Sequence, residues 1–216
     1  MPINWAPEWV AEKLRLNPEI IDVTQVENGL LAIARSQYAP FIVAAIANEE
    51  KIAQSHVSHL FSSTQSPDFV VNVPTQAIWT GSAINFIHKN MAAFGGMGDL
   101  TRASGLEEVS SYRFKQYQFV ETGIRQHSSV EHVVRIYDRK FLVHRRSLPA
   151  LSIVLVDAYQ MSAEDVRVAR DRYGPFDAVL KMTSYGKVTT AARDAADSMG
   201  AQALLWGDLM RRLREP

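Results

Sequence analysis

The last third of the sequence constrains the fold more than any other stretch, because residues 151–213 alternate short apolar runs with segments of helical periodicity. The run 151–156 is almost continuously apolar, which is typical of a strand buried on both faces of a sheet. Ser162 precedes two acidic residues, a pattern that caps a helix at its start. Gly174 and Pro175 supply a stop signal for the same helix. We therefore predict a strand followed by one helix.

The same alternation continues to the end of the chain. A second apolar strand is predicted over 176–182 and a third over 203–206. An alanine-rich helix, capped by Thr189 or Thr190, separates these two strands. Strands separated by single helices need crossover connections, which are right-handed and give parallel pairing. The sequence therefore predicts a parallel βαβαβ arrangement that is covered by helices.

The first two thirds of the chain favour a mixture of helices and strands. Apolar strands are predicted over 30–34 and 41–47, and a helix over 80–91. Alternating patterns predict three antiparallel strands, over 112–120, 130–137 and 141–146. A tight turn at Asp138-Arg139 joins the last two of these strands into a hairpin. The glycine-rich segment 93–105 is expected to be a mobile loop or an internal boundary.

These patterns together predict the α/β class, with a mixed sheet, a parallel βαβαβ C-terminal part flanked by helices, and an antiparallel hairpin. At 216 residues the chain is long enough to bury a substantial core. We expect a single compact α/β domain over 1–216, with any internal boundary near 93–110. No internal repeat is visible in the sequence.

Composition limits the chemistry and the compartment. Lys plus Arg and Asp plus Glu both number 23, so the whole molecule lacks a field that attracts nucleic acid or an anionic membrane, although local patches remain open. The lack of cysteine excludes disulfides, thiolate metal sites and cysteine nucleophiles. Neither a signal peptide nor an apolar run of roughly 20 residues is found, so we expect a cytoplasmic protein outside the membrane.

Positive charge concentrates on the predicted hairpin, beside Tyr137 and Phe141. Its candidate nucleic-acid-binding residues are Arg135, Arg139, Lys140, Arg145 and Arg146, with His144 among them. Guanidinium groups bind phosphate through paired hydrogen bonds, and aromatic rings stack on bases. The pattern therefore favours contact with DNA or RNA. The alternative is a charged hairpin that protects an exposed sheet edge.

Three other sequence patterns have both a functional and a purely structural interpretation. Glu121 is predicted at a strand end near an arginine and a histidine, where it could serve acid–base work or simply be a polar hairpin residue. His56 and His59 lie three residues apart on a predicted helix, a spacing that fits one metal ion or a packed core histidine. The run Gly95–Asp99 has the glycines of a phosphate loop but not its lysine, and favours a flexible linker.

Five consecutive segments of the last third carry a resemblance to a known family. They are the strand ending in Val156-Asp157-Ala158-Tyr159, the helix from Ser162, the strand 177–183, the helix 190–199 and the segment 204–209. Their order resembles the closing half of restriction-endonuclease-like proteins, particularly the Mrr type. In that family a catalytic strand is followed by a helix, a strand that runs into a threonine-rich turn, an alanine-rich helix and a short last strand.

The resemblance also implies a site. The family places an acid on one strand and an acid-x-Lys motif on the next. Asp157 occupies the place of an acid on the catalytic strand, but Tyr159 stands where the lysine is expected, and Asp138-Arg139-Lys140 has the motif's spacing within a predicted turn. If the protein is an active nuclease, Asp157, Asp138 and Glu121 are its catalytic candidates, with a divalent cation such as Mg²⁺ to activate water. Otherwise the site is rearranged or lost.

Three functions follow from these patterns. The leading hypothesis is a nucleic-acid-associated protein of nuclease-like fold, either active or catalytically degenerate. The second is a module for a nucleotide-like small ligand, with a pocket formed by segment 93–99 and the carboxyl ends of strands. The third is a non-catalytic interaction subunit, in a homo-oligomer or with a partner protein, in which Trp5, Trp9 and Trp206 belong to an interface.

Overall fold

The computed structural model describes residues 5–47, 49–62, 64–73 and 77–215. The chain divides into two compact units, which we call unit 1 (Met1–Phe114) and unit 2 (Lys115–Pro216). The expectation of one compact domain over the whole chain stays a prediction. Among the described residues, no helix combines the length and apolarity that a membrane crossing requires.

Unit 1 contains a five-stranded mixed sheet. Its strands, in spatial order, are β1 (Ile20–Gln25), β2 (Leu31–Arg35), β3 (Phe41–Ile46), β5 (Phe69–Asn72) and β7 (Ala93–Gly95). The first three are antiparallel neighbours, whereas β3, β5 and β7 run parallel. A separate parallel pair joins β4 (Lys51–Ile52) to β6 (Ile78–Trp79). The helices are α1 (Ala6–Leu14), α2 (Gln54–Val57), α3 (Gly81–Lys89) and α4 (Met97–Ser104).

The core of unit 1 forms because alternate strand residues face the same side of the sheet. Val43 and Phe69 lie on one face and belong to one apolar cluster with Leu14 of α1 and Leu100 of α4. All four side chains are at most 1% exposed. The helices α1 and α4 are therefore held to the sheet by buried apolar surface.

Unit 2 contains a second five-stranded mixed sheet. Its strands, in spatial order, are β8 (Val130–Tyr137), β9 (Lys140–Arg145), β10 (Leu151–Val156), β11 (Ala178–Lys181) and β12 (Gln202–Leu204). The helices are α5 (Lys115–Arg125), α6 (Ala163–Tyr173), α7 (Thr190–Ser198) and α8 (Trp206–Arg212). The pairs β8–β9 and β9–β10 are antiparallel, and β10–β11 and β11–β12 are parallel. The predicted fold class, with its parallel βαβαβ part and its hairpin, is confirmed.

The two units repeat one architecture. The strand orders match, and so do the pairing registers: Leu31 pairs with Val43 in unit 1, and Phe141, 110 positions after Leu31, pairs with Ile153 in unit 2. The β4–β6 pair of unit 1 has its counterpart in an isolated parallel bridge between Met161 and Val188. The repeat is one of strand order and pairing register, which the residue pattern alone did not indicate.

A buried arginine closes each unit in the same way. Arg35, at the end of β2, donates through Nε to Ala39 O at 2.8 Å and through Nη1 to Ser104 O at 3.0 Å. Arg145, at the end of β9, donates through Nε to Pro149 O at 2.8 Å and through Nη1 to Arg212 O at 3.1 Å. Carbonyls at a helix C-terminus lack helical partners and carry partial negative charge. Each guanidinium therefore ties the second strand to the last helix of its unit.

Two predicted elements are wrong. The segment 112–120, predicted as a strand, lies largely in α5, where Val120 and Ile124 are buried one helical turn apart. The segment 93–105, predicted as a loop, forms β7 and α4. In that segment a Cβ at Gly95 would lie 2.6 Å from the Asp99 side chain, which accepts the Gly96 N–H at 3.0 Å to cap α4. Gly95 is therefore required for close packing against Asp99.

Candidate nucleic-acid interface

The turn between β8 and β9 places Asp138 beside side chains of α5 and α6. We call this group of side chains the filled corner of unit 2. Its carboxylate is 14% exposed and lies 3.9 Å from Arg139 Nε, while the Tyr173 hydroxyl donates to it at 3.5 Å. The Arg139 guanidinium in turn lies 5.6 Å from the centre of the Tyr117 ring. Strand pairing and the flanking helices α5 and α6 thus bring one acid, one guanidinium and two phenols together.

Burial controls the electrostatics of this corner. It raises the pKa of the Asp138 carboxyl to about 6, against the opposing effect of the Arg139 guanidinium and other nearby arginines. It also raises the pKa of the Tyr117 and Tyr173 hydroxyls above their ordinary value. Asp138 can therefore exchange a proton near neutral pH, although its surroundings leave little access to solvent.

Glu121 does not lie at a strand end, as predicted, but on α5. Its carboxylate accepts hydrogen bonds from Arg125, at 2.7 Å, and from Arg135. The Arg135 side chain is only 11% exposed and also lies over the Phe141 ring, at 5.1 Å from its centre. The Glu121 carboxylate therefore forms two ion pairs, both with arginines of unit 2.

The three candidate acids have different surroundings. Two guanidinium groups occupy Glu121, and the nearest charged partner of Asp138 is Arg139. Asp157 follows β10 and is exposed, and it acts electrostatically on Arg139 together with Asp138. Among the described residues, no three metal-ligating side chains form a group that could hold an ion.

The cations of the ribbon mostly serve internal contacts. Lys140 donates through Nζ to Tyr173 O at 2.8 Å and to Pro175 O at 2.7 Å. Arg145 is 6% exposed and Arg135 and Arg139 are paired as described above. Arg146 is exposed, with Nε donating to Ser128 O at 3.1 Å. Of the five predicted phosphate contacts, Arg146 is the one in the exposed class.

Two loops at the carboxyl ends of β10 and β11 are braced against each other. The Thr183 hydroxyl donates to Ala158 O at 2.8 Å, and the Met161 N–H donates to Lys187 O at 3.0 Å. A Cβ at Gly186 would lie 1.8 Å from Tyr159 O, so only glycine allows this approach. The two loops therefore form one rigid surface, which we call the tyrosine platform (residues 157–162 and 183–188).

Buried Lys181 supports this platform from beneath. It is 1% exposed, and its Nζ donates to Thr183 O at 2.7 Å and to the carbonyl of Tyr185. Burial lowers the pKa of its ammonium group, against the opposing effect of Asp157. The lysine thus fixes the backbone that carries Tyr185.

The tyrosine platform presents two aromatic side chains to solvent. Tyr159 is 74% exposed and Tyr185 is 76% exposed, and Lys187 on the same platform is exposed as well. Large aromatic side chains are more often largely buried, so a rigid exposed pair is informative. Exposed aromatic rings on a surface that also carries a cation can stack on bases and contact a phosphate.

Sequence reasoning missed this surface because it treated Tyr159 only as a replaced lysine and Tyr185 only as part of a turn. The available signal was positional. Each tyrosine follows a strand of the predicted parallel set, and the carboxyl ends of parallel strands meet at one edge of the sheet.

The tryptophans assigned to an interface have different environments. Trp206 is half-buried and packs at 5.3 Å from Phe119, and Trp9 is half-buried with Lys13 Nζ 5.5 Å from its ring. Trp5 is 41% exposed and lines a cavity of about 500 Å³ in unit 1.

Formal charge separates the two units. Unit 2 carries 16 lysines and arginines against 12 aspartates and glutamates, a charge of +4, whereas unit 1 carries 7 against 11, a charge of −4. The neutral total therefore conceals a basic unit that bears the tyrosine platform. Comparison with protein-family models, with curated proteins and with solved structures gave no match to this chain.

Proposed function

We propose that the protein binds single-stranded nucleic acid through unit 2 without cleaving it. The observation that carries this proposal is the solvent exposure of Tyr159 and Tyr185, which lie with Lys187 on two loops that are hydrogen-bonded to each other, on the unit with a charge of +4. Unstacked bases stack on exposed aromatic rings with roughly 1–3 kcal/mol for each base, and cations bind the backbone. The platform therefore favours a single strand over a duplex, whose bases are already stacked.

We also propose that unit 2 has a nuclease-like fold, and the order of its elements supports this. In unit 2, β10 is followed by α6, then by β11 running into a turn that ends at Thr189, then by the alanine-rich α7 and the short β12. This is the order that the resemblance to Mrr-type proteins implies. The pairing of Glu121 and Asp138 with guanidinium groups supports a degenerate site.

Fluorescence anisotropy with a labelled 12-nucleotide single strand tests the binding. We expect a dissociation constant in the micromolar range at low salt that rises steeply with salt concentration. Tyr159→Ala and Tyr185→Ala should each weaken binding at least about fivefold, because each removes a stacking surface. Tyr38→Ala in unit 1 is the matched control, with 38% exposure, and should change affinity by less than about twofold.

The charge contribution has its own control. Lys187→Gln should reduce the slope of log affinity against log salt by about 0.7, the value for one phosphate contact on a single strand. Lys89→Gln makes the same charge change at an exposed site in unit 1 and should leave the slope unchanged. Equal effects of the two substitutions, or no affinity at low salt, would overturn the proposal.

Incubation of the strand with the protein and Mg²⁺ tests the non-catalytic part. We expect the strand to remain intact. Cleavage that Asp138→Asn or Asp157→Asn abolishes would contradict the degenerate site while leaving the binding surface to be judged by anisotropy.

A further inference from the structure

The corner of unit 1 that corresponds to the Asp138 corner is open. Asn28 and Gly29 occupy the turn, both with left-handed backbone, and a Cβ added at Gly29 would meet no atom within 4 Å. The turn, the end of β3 and the α2 region enclose a cavity of about 500 Å³. This volume lies within the range of about 300–1,000 Å³ that is typical of small-molecule sites.

The chemistry of the lining selects the charge of a ligand. Glu49 lies in the cavity together with His56 and His59, and the described residues that line it include neither lysine nor arginine. Unit 1 as a whole has a charge of −4. A cavity of this kind attracts a cation and repels a carboxylate or a phosphate.

The Glu49 carboxylate retains acceptor capacity. Its contact with His56 Nδ1 is 3.5 Å, longer than the roughly 2.8 Å of a charge-assisted hydrogen bond. The same Nδ1 accepts the Ala53 backbone N–H at 3.4 Å. An ionised carboxylate has about four acceptor positions, so Glu49 can accept further hydrogen bonds.

The remaining lining suits a cation on an apolar stem. Leu30, Ile46 and Leu60 supply apolar surface, and the exposed indole of Trp5 stands at the same cavity. An indole face attracts ammonium and guanidinium groups through its quadrupole. Carboxylate and indole together therefore favour an alkyl cation over a neutral molecule of the same shape.

We infer that the cavity of unit 1 binds a small organic cation, an alkylammonium or alkylguanidinium group held between Glu49 and Trp5. Glu49 accepts the N–H hydrogen bonds, Trp5 covers the charge, and the apolar lining takes the stem. This site is independent of the tyrosine platform and of the proposed nucleic-acid binding.

Isothermal titration of the full chain with matched probes tests the inference. Pentylamine and agmatine are the cations, and valerate and pentanol are the anionic and neutral counterparts of pentylamine. We expect the two cations to bind, and pentylamine to bind at least about tenfold more tightly than either counterpart, since a hydrogen bond to a charged group contributes about 1.5–3 kcal/mol. The inference would be overturned if valerate bound as tightly as pentylamine, or if neither cation bound.

Substitutions identify the groups responsible. Glu49→Gln should weaken pentylamine binding at least about tenfold, and Trp5→Ala about two- to fivefold. Glu50→Gln makes the same charge change one residue away, outside the lining, and should have no effect beyond about twofold. Equal losses in Glu49→Gln and Glu50→Gln would contradict the site, and thermal denaturation of each unliganded variant establishes that it remains folded.

Discussion

Unit 1 and unit 2 share strand order, pairing register and a buried closing arginine, yet they differ where the second strand begins. In unit 1 the turn carries Asn28 and Gly29 and borders an open cavity. In unit 2 the corresponding turn carries Asp138 and Arg139, and two tyrosines complete the filled corner. The same backbone thus supports an open acidic cavity in one unit and a closed charge pair in the other.

The comparison separates what fixes the fold from what fixes the binding chemistry. Buried arginines that hold backbone carbonyls recur in both units, because both sheets and both last helices need the same closure. The corner side chains and the net charge do not recur. Function therefore follows from side chains that the shared architecture leaves free to vary.

The closing arginines should give the largest effects. Arg35→Met and Arg145→Met should each lower the free energy of unfolding by about 3 kcal/mol, because each removes a buried side chain and leaves several backbone carbonyl groups without their donor. Chemical denaturation monitored by circular dichroism measures the loss. Arg146→Met, at an exposed site, is the control and should stay within about 0.5 kcal/mol of the wild type. A large loss at one arginine only would break the equivalence of the units.

The filled corner should make stability depend on pH. Folded Asp138 holds its proton up to about pH 6, whereas an unfolded aspartate loses it near pH 4, so the native state binds more protons between these values. The free energy of unfolding should therefore fall as pH rises from 4 to 6, by up to roughly 3 kcal/mol for this group. Denaturation curves at several pH values, for wild type and Asp138→Asn, measure the difference.

Asp138→Asn should remove that contribution from the pH profile. The matched substitution in unit 1 is Asn28→Asp, which places a carboxylate beside an open cavity and should introduce no pH dependence of similar size. Identical pH profiles for wild type and Asp138→Asn would show that the corner is not closed.

Gly186 should be sensitive to a single added carbon. Gly186→Ala combines a positive φ of 75° with a clash against the Tyr159 carbonyl. We therefore expect the free energy of unfolding to fall by about 2 kcal/mol and the single-stranded nucleic acid to bind more weakly. Gly200→Ala has a similar φ of 70° and open space, and should cost about 1 kcal/mol without affecting binding. Similar effects of the two substitutions would argue against a braced platform.

The sequence predicted the fold of unit 2 because its signals are local. Ser162 accepts the Asp165 N–H at 3.2 Å to cap α6, and Gly174, with a φ of 69°, ends it as predicted. The strand predicted over 112–120 failed because Tyr117, Phe119 and Val120 have side chains common in strands, while their burial follows a helical period. Local preference was overridden by packing.

The candidate site was less predictable, since its partners are distant in sequence. Arg135 resembles a free phosphate ligand until Glu121 is brought beside it by α5. Asp157 lies directly after β10. The exposed tyrosines could not be grouped from the sequence, because contacts between two loops that are distant in the chain bring them onto one surface. Contacts of this range leave no periodic trace in a single sequence.

Hydrogen–deuterium exchange of the full chain, with and without a 12-nucleotide single strand, tests the central difference between the units most directly. We expect slower exchange in the tyrosine platform, residues 157–162 and 183–188, and unchanged exchange in the described part of the corresponding segments of unit 1, residues 49–52 and 77–78. Protection of the unit 1 segments with none in the platform would contradict it.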